Sequence, residues 1–320
     1  HPMSPVASVF GAGPWGATLA WLLARSGRPV LLWTRDAAKA EEITASRQPP
    51  GTQLDLPMNV TITADPVALE ANLVVLAVPP ARVRALVKRL APHLGPQHRV
   101  LHVIKGFEAS GLPVSRVVEQ ETCVLRTGVI AGPIVPAELW RGEQGAAIVG
   151  SRFDSVVEEV TGLLASDQLR VYGTHDLLGV EIGGAMRTPV GVSAGLLRAA
   201  GFGKALGAVL LTRAVAEGGR LATALGGDPR TLAGLSGIGD WMLTATDQDD
   251  ELMQAGMRLA TGAPFDHPEA EARIRTLVAL GASRGVDLPI VESVAAILDG
   301  VPLSEALAAL MARAQRAEID

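Results

Sequence analysis

The chain has 320 residues, a formal net charge of −5 and a single cysteine. The mild acidity argues against a nucleic-acid binder, and one Cys123 rules out an internal disulfide framework and fits a reducing compartment. Apolar runs are broken by Gly, Pro or charge well short of the roughly 18 residues a membrane span needs, and the length leaves room for two domains.

His1-Pro2 ahead of Met3 is set aside as an appended remnant, and nothing at the start reads as a signal peptide, so a cytoplasmic protein is expected. Residues 8–10 form a short apolar run that ends in Gly11-Ala12-Gly13-Pro14-Trp15-Gly16, followed by the strong helix formers of 17–24. Strand, G-x-G-x-x-G turn and helix in that order are the context of a dinucleotide fingerprint. Gly11 permits the tight turn, Gly13 lets the backbone approach a pyrophosphate, and Gly16 lets the helix pack close to the strand. The helix start then points unpaired N–H groups at phosphate. Segment 29–33 reads as a second buried parallel strand. At its end an acidic residue would bind the ribose 2′-hydroxyl of NAD. This chain carries Thr34-Arg35 there, which suits the 2′-phosphate of NADP(H), while Asp36 one place later keeps NAD(H) open.

Segment 36–47 reads as a helix, 48–51 as a loop and 60–63 as a short strand. Strands are expected at 73–78, stopped by Pro79-Pro80, and at 100–104, ending at Lys105-Gly106, with an amphipathic helix at 81–94 between them. A lysine just past the C-terminal edge of a parallel strand stands where ligands bind in open α/β sheets. Further strands are expected at 129–131, ending at Gly132-Pro133, and at 146–150 and 169–172. This alternation of strand and helix predicts a doubly wound α/β domain.

From 177 onward strand signals give way to helical stretches at 177–199, 205–225, 230–235, 251–259, 269–284, 290–298 and 303–316. The predicted architecture is therefore an N-terminal Rossmann doubly wound sheet over 1–175 followed by an all-α substrate domain over 176–320, with the substrate in the cleft between them. Gly191-Val192-Ser193-Ala194-Gly195 has the spacing of a nucleophile elbow but lies inside an apolar helical stretch, and reads as packing glycines. Gly201-Phe202-Gly203 reads as a helix break and His175 as a boundary residue. The histidines lack metal-ligand spacing, so no metal site is expected. Arg187 and Asp240 are isolated charges in apolar, Gly-rich surroundings. Buried charges need partners, so Asp240 is expected to meet Lys105, Arg187 or both.

The order of these motifs resembles the NAD(P)-dependent glycerol-3-phosphate dehydrogenase family, bacterial type, over nearly the whole chain. The fingerprint is similar to the family's G-A-G-x-[WY]-G-T-A-L-A. Ile104-Lys105-Gly106-Phe107-Glu108 is similar to [ST]-K-G-[IL]-E, and Gly132-Pro133 with Glu138 to S-G-P-[ST]-F-A-x-E. The stretch 179–189 resembles G-V-x-x-G-G-A-x-K-N, and 234–246 resembles G-x-x-G-L-G-D-L-x-L-T-C-T. The resemblance implies reversible hydride transfer between NAD(P)H and dihydroxyacetone phosphate, giving sn-glycerol 3-phosphate. It also implies a cytoplasmic homodimer in glycerophospholipid metabolism, with a small-molecule substrate and no nucleic-acid partner. Pro14, Trp15, Thr34, Arg35, Pro79, Pro136 and Glu269 would join the fingerprint glycines in binding cofactor. Lys105 would touch cofactor and substrate, Gly132, Ile134, Thr188 and Thr244 would line the substrate, and Asp240 would orient the cationic catalytic group.

The departures from the family concentrate in the substrate half. The family's catalytic lysine falls on Arg187 and the asparagine after it on Thr188. The polar positions of its G-x-N-A-[KR] fall on Ala205 and Gly207, and its phosphate-gripping S-R-N on Asp250-Glu251-Leu252. Arginine stays protonated above pH 12, so Arg187 can polarise a carbonyl but barely donate its proton. Lys105 is then the candidate general acid, unless a water serves. Glu251 in place of arginine sets repulsion against a phosphate dianion and predicts a weakened or altered activity. Two alternatives stand beside the leading one: reduction of a different carbonyl compound, including one without phosphate, and a catalytically silent nucleotide-binding protein.

Overall fold

The computed structural model describes residues 4–65 and 71–312. Within the first half, short runs of aliphatic, β-branched and aromatic residues form strands, fully buried at the centre of the sheet, where helices cover both faces, and partly exposed toward its edges. They alternate as β1 (Ala7–Phe10), α1 (Pro14–Ala24), β2 (Val30–Trp33), α2 (Ala37–Ser46), β3 (Val60–Thr63), β4 (Leu73–Leu76), α3 (Pro80–Leu90) and β5 (Arg99–His102). The series continues with α4 (Val114–Glu121), β6 (Arg126–Ala131), α5 (Pro136–Trp140), β7 (Gly145–Gly150), α6 (Asp154–Leu164) and β8 (Leu169–Thr174). The sheet order is β3-β2-β1-β4-β5-β6-β7-β8. The chain thus winds outward from β1 in both directions, and the reversal point between β1 and β4 is where such sheets bind nucleotides. Phe10 pairs with Trp33 on one side and Leu76 on the other, and Leu76 pairs with His102. The C-terminal ends of β2, β1, β4 and β5 therefore share one edge.

Two differences from the sequence expectation concern the sheet. Strand β4 stops at Leu76 and β5 at His102, so Ala77, Val78, Val103 and Ile104 already belong to the loops that leave the sheet edge. Strands β6 and β7 are antiparallel, Val129 facing Gly150, whereas every other neighbouring pair is parallel. Helices α4, α5 and α6 also go beyond the expectation. Their apolar positions do recur at helical spacing, as in Val156, Val160 and Leu164 of α6, but polar residues dilute the pattern.

Helices make up the second half: α7 (Leu177–Ala199), α8 (Lys204–Leu225), α9 (Asp240–Thr246), α10 (Glu251–Ala260), α11 (Pro268–Arg284), α12 (Pro289–Leu298) and α13 (Leu303–Met311). The expected helix at 303–316 runs past residue 312 and so partly lies outside the described residues. Expected helix 230–235 is a 3₁₀ turn, Pro229–Ala233, and a distorted π turn, Leu235–Gly239, leads into α9, which the sequence reading left unassigned. Helix α7 is the axis of this half, buried along most of its length. Its Gly191 and Gly195 are packing residues: a Cβ on Gly195 would stand 2.1 Å from the Met253 carbonyl oxygen of α10. Gly201-Phe202-Gly203 separates α7 from α8, and His175 lies exposed between β8 and α7 with its ring against Asp154 at 2.6 Å. Among the described residues no helix is long and apolar enough to cross a membrane.

Candidate active site

Two of the three fingerprint glycines are required by the packing of the β1–α1 turn. Gly11 has φ +126°, and a Cβ on it would meet the Ala77 carbonyl oxygen at 2.2 Å; a Cβ on Gly16 would meet the Gly11 oxygen at 1.7 Å. Gly13 differs, because a Cβ there would have nothing within 4 Å. The open space lies at the start of α1, where Gly13 is the N-cap without a side-chain cap and Pro14 opens the first turn. The N–H groups of Trp15 and Gly16 have no partner within their helix and present the positive end of its dipole. An open cradle of this kind fits the pyrophosphate of a dinucleotide.

Thr34 is buried at the end of β2 and Arg35 is exposed beside it. The Asp36 carboxylate caps α2, accepting from the N–H groups of Ala38 at 2.9 Å and Lys39 at 3.4 Å. That carboxylate is already engaged, whereas the Arg35 guanidinium has no partner among the described residues and is open to meet a 2′-phosphate. Pro79 is the N-cap of α3 on the same sheet edge.

Three residues beyond the end of β5, Lys105 meets α7 and α9. A Cβ on Gly184 of α7 would lie 3.4 Å from the Lys105 Cα, so the helix crosses in van der Waals contact with the lysine's backbone. The Lys105 Nζ donates to both carboxylate oxygens of Asp240, at 2.7 and 2.8 Å. Asp240 is 2% exposed and opens α9 directly after the distorted π turn. Arg187 of α7 approaches the same carboxylate, its Nε 3.8 Å from Asp240 Oδ2, and its Nη2 donates to Asp250 at 2.5 Å. Asp240 thus meets both cations. Asp250 also caps α10 through the N–H groups of Leu252 and Met253. Burial holds the Lys105 amine below its ordinary value. The Asp240 carboxylate opposes that shift, and the Arg187 charge adds to it.

Behind Lys105 lies a buried polar lock that the sequence did not signal. The Glu181 carboxylate of α7 accepts from the Ser115 N–H at 2.9 Å and the Ser115 hydroxyl at 2.7 Å, and faces the His102 Nε2 at 2.9 Å. The Ile104 N–H donates to His102 Nδ1 at 3.2 Å, which assigns the proton to Nε2. Glu181 therefore ties α7 to the end of β5 and the start of α4, fixing the backbone from which Lys105 projects.

The remaining expected residues spread outward. Thr188 and Thr244 are buried, the Thr244 hydroxyl without a hydrogen-bond partner. Gly132 turns with φ +125° at the end of β6, Ile134 packs into the sheet core, and Pro136 opens α5. Glu251 points outward, its side chain 68% exposed and 3.7 Å from His267 Nε2. Glu269 is likewise on the outside, 54% exposed, and sits 3.4 Å from Arg273. Arg273, which sequence reasoning passed over, has its stem against Gly106 next to Lys105. Its only sequence signal is the i, i+4 spacing to Glu269, which reads as an ordinary solvated helix face.

Comparison with known proteins gives the same reading along the whole chain. Residues 6–157 match the family described as NAD-dependent glycerol-3-phosphate dehydrogenase N-terminus, and residues 176–308 match its C-terminus. The chain is 38% identical to a glycerol-3-phosphate dehydrogenase [NAD(P)+] of Thiobacillus denitrificans, over 97% of this chain and 99% of the relative. It is 36% identical to the enzyme of the same description from Gluconobacter oxydans, over 97% of each chain. A crystal structure of glycerol-3-phosphate dehydrogenase from Coxiella burnetii superposes with a TM-score of 0.90 at 26% identity, covering 98% of this chain and 100% of that one.

Proposed function

This chain belongs to the NAD-dependent glycerol-3-phosphate dehydrogenase family, and from that premise we propose that it interconverts dihydroxyacetone phosphate and sn-glycerol 3-phosphate, with Lys105, Asp240 and Arg187 at the reacting carbonyl. It is an NAD(P)-dependent oxidoreductase acting on a CH–OH group. The observation that carries the residue assignment is the Lys105–Asp240 contact on the sheet edge that also holds the nucleotide turn. Strands β1 and β5 are two spacings apart, roughly 10 Å, a distance that a nicotinamide reaching from the turn can cover.

A bound nicotinamide would supply the hydride to the carbonyl carbon. The protein's part is to position, polarise and protonate. Lys105 donates a proton to the carbonyl oxygen as the C–H bond forms, and its depressed proton affinity makes that donation easier than from a free lysine. Asp240 holds the ammonium in place through both oxygens. Arg187 remains charged throughout and stabilises the developing alkoxide, while Asp250 fixes its fork. In the oxidative direction Lys105 takes the hydroxyl proton back.

NADP(H) is the favoured cofactor in this reading, on the exposed Arg35 and the committed Asp36; NAD(H) remains a second substrate. We take 1–175 as the nucleotide domain and 176–320 as the substrate and dimerisation domain of a cytoplasmic homodimer that supplies glycerophospholipid synthesis. Size-exclusion chromatography with light scattering reads the oligomer. The test of the chemistry is NADPH oxidation by purified protein with dihydroxyacetone phosphate, then with a panel of phosphate-free ketones and aldehydes. Turnover on the phosphate ester that Lys105→Met abolishes is the expected result. Turnover confined to the panel, or full activity in Lys105→Met, overturns it.

A further inference from the structure

Two guanidinium groups near Lys105 each carry a buried N–H with no acceptor: the Nε of Arg187 and the Nε of Arg273. Arg187 comes from α7 and Arg273 from α11, so two independent elements deliver the same chemistry to one place. The Arg273 side chain is 17% exposed, and its one ion pair, to Glu269 at 3.4 Å, is at long range and on the solvent side. Its stem lies on Gly106, where a Cβ would be 3.4 Å from Arg273 Cδ and 3.5 Å from Pro80 Cγ. That places it between the end of β5 and the start of α3, on the ligand-binding edge of the sheet. Burial and the neighbouring Arg187 charge both weaken the Arg273 guanidinium's hold on its proton, while Glu269 and Glu251 partly compensate. Among the described residues, three cations, Lys105, Arg187 and Arg273, thus face two inward carboxylates, Asp240 and Asp250, with Glu251 and Glu269 at the solvent rim. Two positive groups held within each other's field, each with an idle donor, are satisfied together by an anion between them.

We propose that Arg273 is the phosphate grip of this site, its fork closing on oxygens of a phosphate group carried by the bound reactants, with the Arg187 charge adding to the field beside it. The inference rests on the dehydrogenase reading and deepens it. It supplies from α11 the positive charge that Glu251 does not provide at the start of α10. The phosphate monoester of the triose is the first source of such oxygens, and the pyrophosphate of the nucleotide is the second.

The test compares wild type with Arg273→Met and Arg273→Lys, each first checked for an unaltered circular-dichroism melt. In Arg273→Met the KM for dihydroxyacetone phosphate should rise at least tenfold while the kcat/KM for phosphate-free dihydroxyacetone stays within twofold; Arg273→Lys should recover part of the loss. A tenfold weakening of NADPH binding, read by its fluorescence, with the triose KM unchanged assigns the grip to the nucleotide phosphates instead and still supports a phosphate grip. Calorimetric titration with inorganic phosphate adds a readout that needs no turnover. Wild type should bind it and Arg273→Met should lose at least tenfold. Binding of inorganic phosphate without any triose turnover would refute the dehydrogenase reading but keep the grip. Unchanged triose KM, NADPH affinity and phosphate affinity in Arg273→Met would overturn the grip whatever the substrate proves to be.

Discussion

Asp240→Asn removes one negative charge and keeps the shape. In the wild type both Asp240 oxygens accept from the Lys105 ammonium, at 2.7 and 2.8 Å, and the carboxylate is 2% exposed. An asparagine would turn its NH₂ toward the ammonium or leave it a single neutral acceptor. Removing one partner of a buried pair costs about 3–5 kcal/mol, and the lower end applies because the Lys105 side chain is 19% exposed. Losing the carboxylate removes the attraction that opposes burial, so the Lys105 amine falls further below its ordinary value, and about 3 kcal/mol corresponds to a factor of roughly 100. Reduction requires Lys105 protonated, so its rate falls as pH rises through the already depressed Lys105 value. In the variant that alkaline limb moves toward acid, kcat/KM on the alkaline side drops by up to about 100-fold, and part of the loss returns on lowering the pH. The assay is a pH–rate profile of NADPH oxidation with dihydroxyacetone phosphate for both proteins. An alkaline limb at the same pH in both would refute the proton-donor role of Lys105.

Three further outcomes follow from the same geometry. Gly16→Ala places a Cβ 1.7 Å from the Gly11 carbonyl oxygen; it should abolish NADPH binding or folding, and a titration with wild-type affinity would show that the turn can relax. Arg35→Ala should raise the KM for NADPH about tenfold and leave that for NADH unchanged, the loss of one charged phosphate contact; equal effects on both cofactors would remove Arg35 from 2′-phosphate recognition. Glu217, buried in α8 and accepting from the Ile290 and Val291 N–H groups at 2.9 and 3.1 Å, has its carboxyl pushed up by burial from 4.5 to about 7. The unfolded chain ionises first, so stability declines as pH rises from about 4.5 to about 7, by about 3 kcal/mol. Glu217→Gln should flatten that decline in urea melts between pH 4.5 and 8, and an identical slope in the variant would refute it.

What was legible in the chain, and what was not, follows from the range of the signals. The fingerprint could be read because its spacing is local: Gly16 answers the carbonyl oxygen of Gly11, five residues back, even though Gly11 itself also answers the sheet edge at the distant Ala77. The span of α7 could be read because its start has Asp176 as a cap and its end a Gly-containing break. Asp240 could be paired with Lys105 and Arg187 in advance because an isolated carboxylate among apolar residues has few places to go. The antiparallel turn of β7 was not legible, since a short apolar strand buried on both faces carries no mark of direction. Glu181 was hidden for a related reason. A single carboxylate in a Gly-rich helix gives no hint of His102 and Ser115, 79 and 66 residues away, which complete its hydrogen bonds.

Charge at the site shows how position along the chain and position in space come apart. Counted along the motifs, the substrate half has lost its positive groups: glutamate stands at 251, and Ala205 and Gly207 occupy the polar positions of the preceding stretch. In space, Glu251 turns outward at the first residue of α10, and Arg273 enters from α11 across the bare backbone of Gly106. The φ of +139° at Gly106 is a conformation that other residues rarely adopt, and the arginine stem packs against this turn, next to Lys105. The electrostatic field a phosphate would meet is set by which side chains the fold allows inward, here Lys105, Arg187 and Arg273 against Asp240 and Asp250. The charge at Glu251 reaches that field from its solvent rim, through Arg273, where water screens it more than it screens the inward groups.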